Sequence, residues 1–150
     1  MADEFFDVVV VGGGNAAFAA AVAAEEQGAR VVVLERTNAR HLTADQVPEP
    51  PGAIVCDASF IGLRTVLPAA LALAAPGAWL IALVKPQFEV GKARVGKGGV
   101  VRDPALHAWA CATIADWLAG QGWSVLGTTE SPILGPKGNR EFLIAARRRG

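Results

Sequence analysis

The feature that most constrains this fold is the alternation of short β-branched apolar runs with helical segments. Runs without interspersed polar residues are typical of strands that are covered on both faces. The stretch "NAAFAAAVAAEEQG" between the first two runs is helical in pattern, and "FIGLRTVLPAALALA" separates the next two. Strands that alternate with helices predict a parallel sheet. The four runs are "FDVVVV" (6–11), "RVVVLE" (30–35), "GAIVCD" (52–57) and "AWLIALVK" (78–85).

The last third of the chain changes this pattern. Asp103 and Pro104 open a helix as its N-cap and first-turn residue. Two further strands, "WSVLGTTE" and "REFLIAARR", are joined by "SPILGPKGN", which contains no helix, so they should be antiparallel neighbours. We therefore predict one α/β domain over residues 1–150. Its expected architecture is a Rossmann-like, doubly wound, mostly parallel six-stranded sheet with one antiparallel strand near the C-terminus.

Composition limits the functional classes. Hydrophobic residues make up 52% of the chain and the mean hydropathy is +0.35, yet no apolar stretch reaches the length of a membrane span. The acidic start "MADEFFD" differs from the basic start of a secretory signal, so we expect a cytoplasmic protein without membrane contact. Fourteen basic and 14 acidic residues cancel, which argues against a surface that grips nucleic acid everywhere but leaves a local patch open. Cys56 and Cys111 lack metal-ligand spacing and are interpreted as reduced packing thiols, and no metal site is expected.

A glycine-rich turn follows the first strand and predicts a nucleotide site. The spacing fits G-x-G-x-x-G/A, in which the first glycine permits a tight turn and the second lets backbone approach a ligand. The free N–H groups of the following helix favour an anion, and an acidic residue ends the next strand where it can bind ribose hydroxyls. A purely structural tight turn is the alternative. The candidate cofactor-binding residues are Gly12, Gly13, Gly14, Asn15, Ala17 and Glu35.

The string "DVVVVGGGNAAFAAAVAAEEQGARVVVLE" resembles the FAD-binding N-terminus of flavoproteins of the succinate dehydrogenase/fumarate reductase type. The resemblance implies that residues 1–35 hold the adenine-nucleotide end of FAD, with Glu35 as the ribose-binding acid. It ends there, and the chain lacks the further segments with which those enzymes hold the flavin ring and substrate. Flavin chemistry is therefore not expected.

Three charged residues form the second candidate site. Asp57 and Lys85 each end a predicted buried strand, at the edge where open α/β sheets place their ligands. Glu141 starts the last strand, and an antiparallel strand begins at the edge where parallel strands end. An alcohol that attacks a methyl sulfonium needs a base or an electrostatic partner. A lysine held out of water can supply that function, with carboxylates to orient it. Ordinary strand-end charges are the alternative for each residue alone.

From about residue 35 onward the chain resembles the haemolysin-A-like ribosomal RNA 2′-O-methyltransferases of the FtsJ-like group. The motifs are "ERTNARHLT", "CDASFIGLRTVLPAAL", "LVKPQFEVGKARVGKGGVVRDPALH" and "SPILGPKGNREFLIAARR". The resemblance implies S-adenosylmethionine (SAM) as methyl donor, Lys85 as the residue that activates the ribose hydroxyl, and Asp57 and Glu141 as its partners. The family uses a Lys-Asp-Lys-Glu set, whereas here no lysine precedes Lys85. The family's Gly-rich SAM loop and its N-terminal RNA-binding domain also lack a counterpart in this sequence.

A basic segment, "GKARVGKGGVVR" (91–102), follows Lys85 and is expected beside the candidate site. Either it contacts RNA phosphates or it is a solvated flexible loop, and both interpretations predict disorder without RNA. Neither His41 nor His107 has a partner pattern, so both are expected at surface or half-buried positions. The four tryptophans, at 79, 109, 117 and 123, are expected in the core. The basic side chains are those of Lys92, Arg94, Lys97 and Arg102.

Two resemblances that meet near "RVVVLERTN" suggest an origin for the chain. We expect an engineered Rossmann-fold chimera, with residues 1–35 from one family and 36–150 from the other. Such a chimera would bind an adenine-containing cofactor weakly or not at all and would be catalytically inactive. Two alternatives stay open, namely a residual SAM-dependent RNA 2′-O-methyltransferase and a binding module for FAD or NAD.

Overall fold

A computed structural model describes residues 6–150, so the first five residues of the predicted N-terminal segment lie outside the described part. The strands are β1 (Val8–Val11), β2 (Val31–Leu34), β3 (Ala53–Cys56), β4 (Trp79–Val84), β5 (Trp123–Glu130) and β6 (Phe142–Arg148). The α-helices are α1 (Asn15–Glu26), α2 (Leu63–Val66), α3 (Pro68–Leu73), α4 (Pro86–Glu89) and α5 (Pro104–Gly120). Short 3-10 turns cover Ala39–His41, Lys92–Arg94 and Pro136–Gly138.

All six predicted strands form, but the single six-stranded, mostly parallel sheet was wrong. Strands β1 and β2 form a parallel pair of their own. The other four form a mixed sheet in the order β3-β4-β6-β5, with one parallel and two antiparallel pairings. An apolar run indicates a strand but not its neighbour. The connection from 35 to 52 carries only a 3-10 turn where a crossover helix usually docks a parallel strand.

Strand β6 is the reversed strand that the short final connection predicted. It pairs antiparallel with both β4 and β5. Its first residue, Phe142, lies opposite Val84, the last residue of β4. The residue before β6 and the residue after β4 are therefore neighbours at one edge of the sheet, and the residue after β3 lies at the same edge because β3 and β4 are parallel.

The core lies on one face of the four-stranded sheet. Leu80, Ile144 and Trp123 are almost fully buried there against α2, α3 and α5. On the opposite face Val55 is 73% exposed and Ile81 39% exposed, so the prediction that these strands are covered on both faces was wrong. Their β-branched composition matched a buried strand because strand propensity and burial favour the same residues.

Local signals place the helix boundaries. Pro68 is the first residue of α3, so the proline marks a helix start after the short α2. Asp103 caps α5, and its side chain accepts a hydrogen bond from the backbone N–H of Ala105 at 2.9 Å. Within residues 6–150, no helix has the length and apolar character that a membrane crossing requires.

Candidate active site

The strand ends bring the three predicted charged residues together. Lys85 follows β4 and is almost fully buried, with its side chain 8% exposed. Its ammonium Nζ lies 2.6 Å from Oδ1 of Asp57, which follows β3, and 4.0 Å from Oε1 of Glu141, which precedes β6. Asp57 is 61% exposed at its side chain, whereas Glu141 is buried. A buried cation thus lies between a solvent-exposed carboxylate and a buried one.

Ser59 completes the surroundings of the lysine. The ammonium of Lys85 donates a hydrogen bond to its Oγ at 3.1 Å. With Asp57 and Ser59 both engaged, one face of the ammonium is fixed by the loop that follows β3. The side that faces Glu141 has no direct hydrogen bond, since 4.0 Å exceeds the usual 2.7–2.9 Å for such a pair.

Glu141 is held by two neighbours. Its Oε1 accepts a hydrogen bond from Nε2 of Gln87 at 3.0 Å. Gly135 also lies against the carboxylate, because a Cβ added there would overlap Oε1 and lie 2.6 Å from the carboxylate carbon of Glu141. The glycine therefore leaves the room that the carboxylate occupies, and Gln87 determines where that carboxylate stays.

The loops that carry Asp57 and Lys85 are also joined at their far ends. Glu89, the last residue of α4, is buried and accepts a hydrogen bond from the backbone N–H of Leu63 at 2.7 Å. Burial raises the pKa of its carboxyl, while this hydrogen bond acts in the opposite direction.

Phe60 adopts a φ of 65° and leaves its ring 90% exposed beside Phe88, with ring centroids 5.4 Å apart.

The glycine-rich turn combines a glycine at positive φ with a helix start that has no side-chain cap. Gly12 adopts a φ of 129°, a conformation that L side chains rarely adopt. A Cβ on Gly12 would lie 3.9 Å from that of Ala17, so the small third residue of the motif packs against the turn. Gly14 is the N-cap of α1 and offers no side-chain cap, which leaves N–H groups at the helix start for a ligand. Gly13 faces the side chain of Glu35, whose Cγ would lie 3.5 Å from an added Cβ. Asn15 is the first residue of α1.

The basic segment is more structured than the predicted flexible loop. Buried Asn139 accepts a hydrogen bond from the backbone N–H of Val101 at 3.1 Å and donates one to the carbonyl of Gly99 at 2.9 Å. The ring Nε2 of His107, which is also buried, lies 2.8 Å from the carbonyl oxygen of Val101. Gly96 and Val100 form an antiparallel bridge. All four basic side chains predicted to contact RNA are exposed.

The histidine and tryptophan predictions need corrections. His107 is buried because its ring anchors the basic segment, whereas His41 is exposed as predicted. Trp123 lies in the core, but Trp79 is 45% and Trp109 40% exposed. Trp109 carries the guanidinium of Arg94 above its ring, at 5.2 Å from the centroid, which shields part of the exposed indole.

Both cysteines are half-buried free thiols, as the interpretation of packing residues requires. Burial raises the pKa of the Cys56 thiol to about 11, and the neighbouring Asp57 carboxylate adds to the effect. Burial also raises the pKa of Cys111. Both groups stay protonated at neutral pH and are poor nucleophiles.

Sequence reasoning missed Ser59, Gln87 and Gly135. Each lies within a few residues of a predicted site residue or inside a quoted motif: "CDASF", "VKPQFE" and "GPKGN". The contact of Gln87 with Glu141 depends on the pairing of β4 with β6, which brings together residues 54 positions apart, and the contact of Ser59 with Lys85 depends on the pairing of β3 with β4. Motif position was therefore the only signal in the sequence.

Comparison with known proteins identifies the family. The FtsJ-like methyltransferase family matches residues 8–148. The 16S/23S rRNA (cytidine-2′-O)-methyltransferase TlyA of Mycobacterium tuberculosis is 50% identical over 115 residues, which cover 77% of this chain and 43% of that protein. The chain thus spans less than half the length of this relative.

Solved structures agree with this similarity. A hemolysin-type protein from Lactococcus lactis matches with a TM-score of 0.76 and 38% identity, over 81% of this chain and 58% of that one. The N-methyltransferase NodS from Bradyrhizobium japonicum, solved with S-adenosyl-L-homocysteine, matches with a TM-score of 0.56 and 14% identity. That match covers 95% of this chain and 66% of NodS, and at this identity it shows the α/β methyltransferase-like fold alone.

These matches correct the hypothesis of an inactive engineered chimera, which was wrong. A single family covers both sides of the proposed junction near residue 35, including β1, α1 and β2. The flavoprotein resemblance of residues 1–35 reflects a glycine-rich turn that many nucleotide-binding α/β folds share, and FAD gains no support. The match over residues 8–148 includes both the glycine-rich turn and the charged residues at the sheet edge, and the chain belongs to the FtsJ-like methyltransferase family.

Proposed function

We propose that the chain transfers a methyl group from SAM to a ribose 2′-hydroxyl of ribosomal RNA. The observation that carries the proposal is the buried Lys85 ammonium between Asp57 and Glu141, at the sheet edge where α/β folds bind their ligands. The rRNA methyltransferase TlyA, with 50% identity over the matched part, supports the substrate class. Since the chain spans less than half of that relative, the full activity and its partners belong to this proposal.

The chain's own residues handle the hydroxyl proton. The amine of Lys85 pairs with Asp57, whose exposed carboxylate gives the lysine proton a route to water. The neutral amine then accepts the proton of the ribose hydroxyl, and the oxygen becomes the nucleophile. Glu141 stabilises the ammonium that re-forms. Methyl transfer to the oxygen yields the 2′-O-methyl ribose and S-adenosylhomocysteine, and the net reaction releases one proton.

The glycine turn and Glu35 are the residues that would hold the cofactor. SAM, when bound, supplies an electrophilic methyl group on sulfur. The open backbone at Gly14 permits close approach, and the Glu35 carboxylate beside the turn suits the ribose hydroxyls of an adenosine. Membership of the FtsJ-like methyltransferase family favours SAM over the FAD or NAD that the turn alone would also accept.

The RNA contact is proposed for the basic segment. Lys92, Lys97 and Arg102 are exposed and form no ion pair with any residue in the range 6–150. Arg102 also lines a cavity of about 270 Å³ together with Lys137 and Arg140, the residue that precedes Glu141. Cations beside the site are suited to phosphates of an RNA strand, and ribosomal RNA as substrate would place the chain in the cytoplasm.

Calorimetric titration tests the cofactor half of the proposal. The purified chain, stripped of nucleotide, is titrated with S-adenosylhomocysteine, FAD and NAD in parallel. Heat with S-adenosylhomocysteine alone is expected. Heat with FAD or NAD and silence with S-adenosylhomocysteine would refute the proposed function.

A matched pair of glycine variants locates the site. Gly14→Val should weaken S-adenosylhomocysteine binding at least tenfold, since the side chain enters space that the protein leaves open. Valine is a poorer N-cap than glycine, so a stability loss of about 1 kcal/mol is expected. Gly52→Val, also in open space but away from the turn, is the control and should bind normally. Equal affinities in the two variants would place the cofactor elsewhere.

A further inference from the structure

Gln87 stands out because the proposed chemistry leaves it without a role. It lies in the first turn of α4, two residues after Lys85, and its Nε2 donates to Oε1 of Glu141 at 3.0 Å. An ionised carboxylate can only accept hydrogen bonds, so this orientation of the amide follows from its neighbour. The other end of the amide, Oε1 of Gln87, is buried and has no hydrogen-bond partner within residues 6–150. A buried orphan oxygen is costly and calls for an explanation.

The position of Glu141 provides that explanation. The oxygen that accepts from Gln87 is the one 4.0 Å from the Lys85 ammonium. Two opposite charges that are both buried would normally close to a direct hydrogen bond of about 2.7–2.9 Å. An added Cβ on Gly135 would come nearest to this same oxygen, so the glycine also lies against the carboxylate. The carboxylate is therefore held by Gln87 and confined by Gly135, short of contact with the lysine.

We propose that Gln87 is a positioning residue that holds Glu141 away from Lys85, so that the ribose hydroxyl can enter between the two groups. A direct ion pair between Lys85 and Glu141 would close this space. Gln87 touches neither group that reacts, and it acts only through Glu141. The inference rests on the proposed function and adds to it the residue that keeps the site open.

The test combines a structure with kinetics. Gln87→Met keeps the length and volume of the side chain and removes both polar ends. In its crystal structure, the distance from Lys85 Nζ to Glu141 Oε1 should shorten from 4.0 Å to about 2.8 Å. With SAM and ribosomal RNA, kcat should fall at least tenfold while KM for RNA stays within twofold, because the hydroxyl loses its place but the RNA contacts remain. Gln121→Met, an exposed glutamine after α5, is the control and should change neither value.

The outcomes separate two failures. If the parent chain transfers methyl groups and Gln87→Met keeps its kcat within twofold, the role of Gln87 is refuted while the proposed function stands. An unchanged 4.0 Å distance in the variant would also refute the positioning role. A parent chain without methyl transfer would overturn the proposed function and this inference together. A loss of kcat with the shortened distance and an unchanged melting temperature would establish the role.

Discussion

Gly135→Ala is the substitution whose consequence follows most directly from the geometry. The added Cβ would overlap Oε1 of Glu141 and lie 2.6 Å from its Cδ and 3.1 Å from its Cγ. Gly135 has φ −74° and ψ −176°, which alanine adopts without strain. The backbone therefore tolerates the change, and the carboxylate of Glu141 must move.

The expected magnitudes follow from what Glu141 loses. Once displaced, it gives up the hydrogen bond from Gln87, and a buried polar group without its partner costs about 1–3 kcal/mol. A catalytic group misplaced by about 1 Å loses about 100-fold in rate. We expect a moderate drop in the free energy of unfolding and a large drop in kcat.

Denaturant unfolding and a methyl-transfer assay on the same preparations measure both effects. Gly120→Ala is the matched control, because its Cβ meets nothing within 4 Å and the residue lies at the end of α5. It should keep full activity and gain up to about 1 kcal/mol in stability. A Gly135→Ala variant with parental kcat would show that the position of Glu141 does not matter, and would refute the reasoning.

Three further predictions address burial. Burial raises the pKa of Glu89 above its ordinary 4.5. As pH rises, the unfolded chain therefore loses this proton before the folded chain does. The free energy of unfolding should fall as pH rises from about the ordinary pKa through the raised pKa. Glu89→Gln should flatten this part of the pH dependence in denaturant titrations, and an unchanged slope would contradict it. Cys56, with its pKa raised to about 11, should resist iodoacetamide at pH 7.5 in the native chain and react after unfolding, as followed by mass spectrometry; rapid native labelling would contradict the burial. Leu80→Ala, at a fully buried position, should cost about 2–5 kcal/mol, whereas Ile81→Ala on the exposed face should cost clearly less, and equal losses would argue against a one-sided core.

The candidate site could be predicted from the sequence because it depends on strand ends. Lys85 and Asp57 follow apolar runs that fold as the adjacent parallel strands β4 and β3. Glu141 was predicted at the same edge because a short connection without an α-helix makes the last strand antiparallel. These inferences need only strand positions and directions, which local patterns contain.

The remaining features depend on long-range pairing that local patterns do not encode. Strands β1 and β2 pair with each other and not with the other four strands. The strands are similar in composition, so their sequences do not indicate which of them will be neighbours. The exposure of Val55 reflects which face the helices cover, and its residue type is the same on either face. The Gln87–Glu141 hydrogen bond joins residues 54 positions apart, so only the folded sheet reveals it.

A short motif led to the wrong prediction of the chain's origin. The stretch from Gly12 to Glu35 matches a flavoprotein pattern because a tight turn, a small helix residue and a ribose-binding acid serve several nucleotide cofactors alike. The family match from residue 8 onward overturned the chimera that this stretch suggested. The longer motifs that surround Lys85 were the more specific evidence.

Methyl transfer to RNA is the measurement that tests the central claim most directly. The purified chain is incubated with ribosomal RNA and SAM labelled in its methyl group, and the digested nucleosides are separated by mass spectrometry. The account predicts label in 2′-O-methyl nucleosides. It also predicts that Asp57→Asn loses at least 90% of this label and that Asp116→Asn, on the exposed face of α5, keeps it. Label in a base methyl group, or equal activity in the two variants, would contradict the account.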